Sequence, residues 1–186
     1  MSPPTSNLPA GRHLQRGFFL IELLGVLALI ALLAGLVMPG LTQVMRTHRV
    51  RLVAKDLATE LLWAQAEAAR RGSALVLRLK TGPGCAALPC GWEVFADGNQ
   101  DGLQQKNETV IHTYGNPADL VISPANGDTV FIDQAGNLRN RNTGGAVGTS
   151  FLVEIAPVRP GDPASRRVCI NAGNRVRIAA GAECQP

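Results

Sequence analysis

Arg16-Gly17-Phe18-Phe19-Leu20-Ile21-Glu22-Leu23 opens the stretch whose reading decides the organisation of this chain. From Phe18 to Met38 run 21 residues with a single charge, Glu22. As a helix rising about 1.5 Å per residue, such a run reaches roughly 31 Å, one hydrocarbon thickness. The apolar core of a secretory signal is usually about 7 to 15 residues and ends at a small-residue cleavage site. This run is longer and ends Met38-Pro39-Gly40. A plain signal anchor fits the length but leaves Glu22 unexplained, because an unpaired carboxylate inside a bilayer costs a few kcal/mol. A partner arises if the chain is cut after Gly17: Phe18 then carries an α-amino cation, one helical turn from Glu22 on the same face. The carboxylate meets its own amine or that of a neighbouring subunit, and two charges enter the low dielectric together.

Composition agrees with a tethered small domain. The chain has 186 residues, 46% apolar but only 4% aromatic and 17% charged. A globular core must therefore be small and aliphatic, which excludes a freely soluble enzyme with a large buried interior. The net charge of +4 is too mild to imply nucleic acid by itself.

The motif Arg16-Gly17-Phe18 followed by Phe19-Leu20-Ile21 and Glu22 resembles the class III signal of type IV pilins and pseudopilins. The resemblance implies cleavage between Gly17 and Phe18 by a prepilin peptidase, N-methylation of Phe18, and assembly with other major and minor pilins through an inner-membrane platform. It also implies a kink at Pro39. Proline removes one intrahelical donor and clashes with the preceding turn, so a bent or melted stretch there follows physically as well. Residues 1–17 read as a leader peptide and 18–40 as a transmembrane and filament-core helix. A positive-inside count opposes export, since Arg46, Arg49, Arg51 and Lys55 follow the span. The cleavage signal and the cysteines favour a periplasmic domain.

Residues 41–71 read as an amphipathic stem. Leu41, Val44, Met45, Leu52, Leu57, Leu61, Ala64 and Ala68 form the expected stripe, and Gly72 after Arg70-Arg71 is a helix stop. Residues 72–186 read as a β-rich domain, with strands expected at 74–79, 92–95, 109–112, 119–122, 129–132, 150–155, 167–170 and 175–178. The fold expected is α+β and pilin-like, a long N-terminal helix packed on antiparallel sheet. The stem sequence from Leu57 to Arg71, together with Gly91-Trp92-Glu93-Val94-Phe95 and Phe131-Ile132-Asp133-Gln134-Ala135-Gly136, is similar to the GspH/FimT group of minor pilins and pseudopilins.

Four cysteines, Cys85, Cys90, Cys169 and Cys184, lie beyond the apolar run. An even count in an exported domain suggests two disulfides, with three connectivities open; proximity favours Cys85 with Cys90 and Cys169 with Cys184. Zinc is the rival, but the spacings do not match paired C-x-x-C ligands. Asp97-Gly98-Asn99-Gln100-Asp101-Gly102 begins like a calcium loop, with Glu108 at its twelfth position. Its flanks read as strand and the same residues make ordinary turns, so it is read as a turn, with no metal and no cofactor expected. No nucleophile elbow, zinc-protease motif or phosphate loop is present, and no enzymatic activity is expected.

In the last strand Arg175 and Arg177 alternate with Val176 and Ile178. If Ile170 pairs with Val176, Arg167 joins the arginine face, and three guanidiniums on one exposed surface suit phosphate contacts. Gly173-Asn174-Arg175-Val176-Arg177 resembles the C-terminal G-R-x-R of FimT-type pilins, with Asn174 as the departure. That resemblance implies DNA as a partner during uptake. Two readings stand: a minor pilin that joins or primes a type IV pilus and contacts DNA, or a GspH-like pseudopilin of a type II secretion system with a purely structural role.

Overall fold

A computed structural model describes residues 20–81, 91–115, 119–139, 149–155, 161–181 and 183–184. The chain divides into two compact units, Met1–Leu41 and Thr42–Pro186. The helix α1 runs Leu20–Arg71. In the first unit its large apolar side chains stand in the open, Leu20 and Ile21 at 78% exposure. Among the described residues, no helix is long and apolar enough to cross a membrane. The expected crossing, 18–40, extends at both ends beyond the residues whose side chains are described. The helix is continuous through Pro39, where a kink or melted stretch was expected. A proline removes only its own donor, and helical turns on either side can still propagate.

In the second unit α1 lays one face on the sheets. Val50, Val53, Ala54, Leu57, Ala58, Leu61, Ala64 and Ala68 are buried. The expected stripe holds at Leu57, Leu61, Ala64 and Ala68 and is corrected before them, where Val44, Met45 and Leu52 are exposed. Leu52 and Leu57 are five residues apart, roughly 140° around a 3.6-residue helix, so only one of them can face the core. The four alanines admit close approach of the sheets. Gly72 ends the helix in a left-handed conformation (φ +63°), its amide donating to the Ala68 carbonyl at 2.9 Å.

Among the described residues nine strands follow: β1 Leu75–Leu79, β2 Gly91–Ala96, β3 Val110–Gly115, β4 Leu120–Pro124, β5 Thr129–Ile132, β6 Leu138–Arg139, β7 Thr149–Ile155, β8 Arg166–Ile170 and β9 Val176–Ala180. They form two antiparallel sheets, sheet A ordered β3-β2-β1-β5-β6 and sheet B ordered β4-β7-β8-β9. The α+β, pilin-like class is as expected. Strand β6 was not anticipated; two residues are too few to show periodicity.

Leu75, Leu77, Leu79, Trp92, Val94 and Ile132 of sheet A share one core with the helix and with Ile122, Phe151, Val153, Val168 and Ile170 of sheet B. Sheet A is covered on its other face too. Val76 stands opposite both Phe95 and Phe131 and is fully buried. The 97–108 turn lies over this face, where a Cβ on Gly102 would come within 2.4 Å of the Phe131 ring. The free edge at β3 is fastened to α1. The Tyr114 hydroxyl donates to Asp56 at 2.9 Å and its ring stacks on Trp92 at 4.1 Å. His112, expected at a strand end, lies inside β3, stacked on Trp63 at 4.8 Å with Nδ1 2.9 Å from Glu60 Oε1.

Candidate functional site

The N-terminal residues expected to be processed, Gly17 and Phe18, lie outside the described residues. Glu22 stands in the first turn of α1, where a carboxylate also complements the helix dipole. Of the four cysteines, Cys169 and Cys184 form a disulfide with Cα atoms 5.8 Å apart. Cys85 and Cys90 lie outside the described residues.

The arginine surface is built on sheet B. The expected register holds: Ile170 pairs with Val176, Cys169 with Arg177 and Arg167 with Ala179. Directly opposed residues of an antiparallel pair share a face. Val168 and Ile170 therefore enter the core, while Arg167, Cys169 and Arg177 turn to the opposite face, and alternation carries Arg175 with them. Arg175 and Arg177 are exposed. Arg167 is not, which corrects the expectation of three guanidiniums on an exposed surface. It is half-buried, and its Nη1 donates to the Ser150 hydroxyl at 2.8 Å. Burial pushes the carboxyl of Glu154 up, opposed by the charge of Arg167 and reinforced by that of Asp162. One strand further inward, an arginine is thus absorbed into the polar lining of the sheet.

The tip between β8 and β9 is tightly bonded. Asn171 Oδ1 accepts from the amides of Gly173 at 3.1 Å and Arg175 at 2.9 Å, and the Asn174 amide donates to the Asn171 carbonyl at 3.0 Å. Asn174 itself is left-handed (φ +61°), a conformation that asparagine tolerates better than most residues. Its side chain reaches sheet A: Oδ1 accepts from the Leu138 amide and Nδ2 donates to Asn137 Oδ1, both at 2.9 Å. No feature of the sequence places residues 36 and 37 positions apart in contact. The single local hint was an asparagine in a turn.

In the 97–108 segment the carboxylates serve the backbone. Asp97 Oδ2 accepts from the Gly102 amide at 2.8 Å, Asp101 Oδ1 from Leu103 at 2.7 Å, and Glu108 from Gly98 at 3.2 Å and Gln105 at 3.0 Å. Among the described residues, no group of three or more acidic, histidine or cysteine side chains is placed to hold a metal ion. The hydrogen bonds of the segment are those of a turn.

A long helix whose C-terminal half packs on two antiparallel sheets is the architecture of pilin-like filament subunits, and solved structures of that class match it. The minor pseudopilin EpsH of the Vibrio cholerae type II secretion system aligns with a TM-score of 0.52 at 11% identity, over 73% of this chain and 99% of that one. The type IV minor pilin FimU of Pseudomonas aeruginosa aligns with a TM-score of 0.50 at 13% identity, over 71% and 89%. At such identities the likeness is one of fold. No curated protein sequence matches. The family described as type II transport protein GspH matches residues 53–174, and the chain belongs to it. It is therefore a minor pilin or pseudopilin.

Proposed function

We propose that this chain is a FimT/FimU-like minor pilin that joins or primes a type IV pilus, with Arg175 and Arg177 contacting DNA phosphates. The observation that carries the DNA element is the β8–β9 register, which turns both arginines to the face away from the core and leaves them exposed. Phosphate contacts need exposed guanidiniums, and two of them define a small, electrostatic footprint. In the same reading the chain is held in the inner membrane with its β-rich domain in the periplasm. A prepilin peptidase cuts between Gly17 and Phe18, Phe18 is methylated, and Glu22 pairs with the new amine. Pro39 provides the bend in the stem. Other pilins and the assembly platform are its partners, and its role is structural and binding rather than catalytic.

Full-length protein in neutral detergent should shift duplex DNA at about 50 mM salt. With two phosphates engaged, affinity should fall roughly tenfold on going to about 200 mM. Arg175→Ala with Arg177→Ala should abolish the shift. A wild-type protein inert toward duplex at low salt removes the DNA element. A second reading is favoured by the family description and by the likeness to EpsH: a pseudopilin of a type II secretion system, without nucleic-acid affinity. Its mark is loss of secretion and of filament number on deletion, with no DNA phenotype.

A further inference from the structure

Two edges meet beside the arginine hairpin. Among the described residues, strand β9 is the last strand of sheet B and β6 the last of sheet A. An edge strand presents backbone donors that need partners, and an edge hairpin is free to swing unless something holds it. The Leu138 side chain is fully buried, so an unsatisfied amide at that residue would be costly. The acceptor it finds is not backbone but the side-chain oxygen of Asn174, from the other sheet.

The anchor on the sheet A side is itself fixed. Asn137 Nδ2 donates to both carboxylate oxygens of Asp133 at 3.2 and 3.1 Å, and its amide donates to the same group at 2.8 Å. Arg139 Nε closes on Asp133 at 2.7 Å. On the sheet B side, Asn171 binds three points of the turn, so the tip moves as one piece. Val176 packs on the core that holds Leu138, and at the tip the Asn174 side chain adds the bonds that fix its direction relative to the anchor.

We propose that Asn174 is a positioning residue, clasping the β8–β9 hairpin to the β5–β6 hairpin and thereby setting where Arg175 and Arg177 project. The proposal deepens the phosphate-binding reading and rests on it for its functional consequence. It accounts for the residue that departs from the G-R-x-R pattern. Glycine would also accept the left-handed backbone but has no amide to span the gap, whereas asparagine supplies both the conformation and the two hydrogen bonds.

The test uses the full-length chain in neutral detergent. Asn174→Gly keeps the turn conformation and deletes both bonds, and Asn137→Ala cuts the Asn137–Asn174 bond from the opposite sheet. In Asn174→Gly the Leu138 amide should exchange hydrogen roughly tenfold faster while the Val168 and Ile178 amides stay protected. Backbone order at Arg175 and Arg177, read by NMR relaxation, should fall in both variants. Duplex DNA binding should weaken about three- to tenfold with a shallower salt dependence, since fewer phosphates are met at once. A purely structural role would shift the melting temperature and leave the salt dependence unchanged. Unchanged exchange at Leu138 and unchanged order at the arginines overturn the clasp; unchanged DNA affinity and salt slope overturn its positioning role. If the wild type binds no duplex, the phosphate reading falls, while exchange and relaxation still decide whether Asn174 holds the hairpin.

Discussion

Cys169 stands directly opposite Arg177 across the β8–β9 ladder, on the face turned away from the core. Its disulfide to Cys184 therefore brings the C-terminal tail back onto the same face as the arginines. The bridge closes a sequence separation of 15, for which the loss of unfolded-chain freedom is about 3 kcal/mol. Replacing both cysteines by serine should lower stability by about 2–4 kcal/mol in chemical denaturation. A change within error would show that the tail contributes nothing to the fold.

The phase of the stem helix is open to a paired comparison. Leu57 is fully buried against the sheets, whereas Leu52 is 46% exposed. Leu57→Ala should cost about 2–5 kcal/mol, because it deletes packed methyl groups and leaves a cavity. Leu52→Ala should stay within about 0.5 kcal/mol. Equal losses in urea titration would contradict the observed face.

Asp133 and Tyr114 each tie stability to pH, one at the acid and one at the alkaline end. Burial pushes the Asp133 carboxyl up, but hydrogen bonds from the Asn137 amide, the Arg139 and Asn137 side chains and the Ala135 amide hold it at about 2. A depressed carboxyl contributes stability above its unfolded pKa of about 3.9, lost as pH falls toward 2. Tyr114 is pushed up to about 12, first by burial and then by its bond to Asp56. A raised tyrosine contributes stability below its unfolded pKa of about 10, lost as pH rises toward 12. Melting temperature measured against pH should drop at both ends. Asp133→Asn should flatten the acid limb and Tyr114→Phe the alkaline one, and unaltered limbs would refute these assignments.

Glu22 has a prediction of its own. Glu22→Ala should still be cut before Phe18 but enter filaments poorly, because the new amine loses its counter-charge at low dielectric. Mass spectrometry of the N-terminus and immunoblotting of sheared filaments read the two steps separately. Normal incorporation would disprove the charge pairing.

How much of this was legible beforehand differs from element to element. Strands β1, β2, β5 and β8 declare themselves, because short apolar runs between turn residues record their own burial. The Ile170–Val176 register could be reasoned out, since any other pairing by one residue sends Val168 and Ile170 to the wrong face. The stem's phase could be read from Leu57 to Ala68 but not before it. Val44, Met45 and Leu52 are as apolar as the residues that are buried, and hydrophobicity alone does not say which of two adjacent stripes meets a sheet. Arg167 misled for a similar reason: strand alternation assigns a face, but whether that face meets solvent depends on Ser150 and Glu154, brought alongside by β7.

Residue order alone settled what is local: the apolar run with its lone acid, the stop at Gly72, the turn at 97–108 and the two-residue alternation of the arginine strand. These rest on interactions within a few residues, or on the periodicity that burial imposes on one element. Only the tertiary structure decided the rest. It fixed which helix face is covered ahead of Leu57, wrapped sheet A on both sides and left Arg167 half-buried against Ser150. It also joined Asn174 to Leu138 and Asn137, because contacts between residues far apart in the chain exist only once two sheets have packed on one helix.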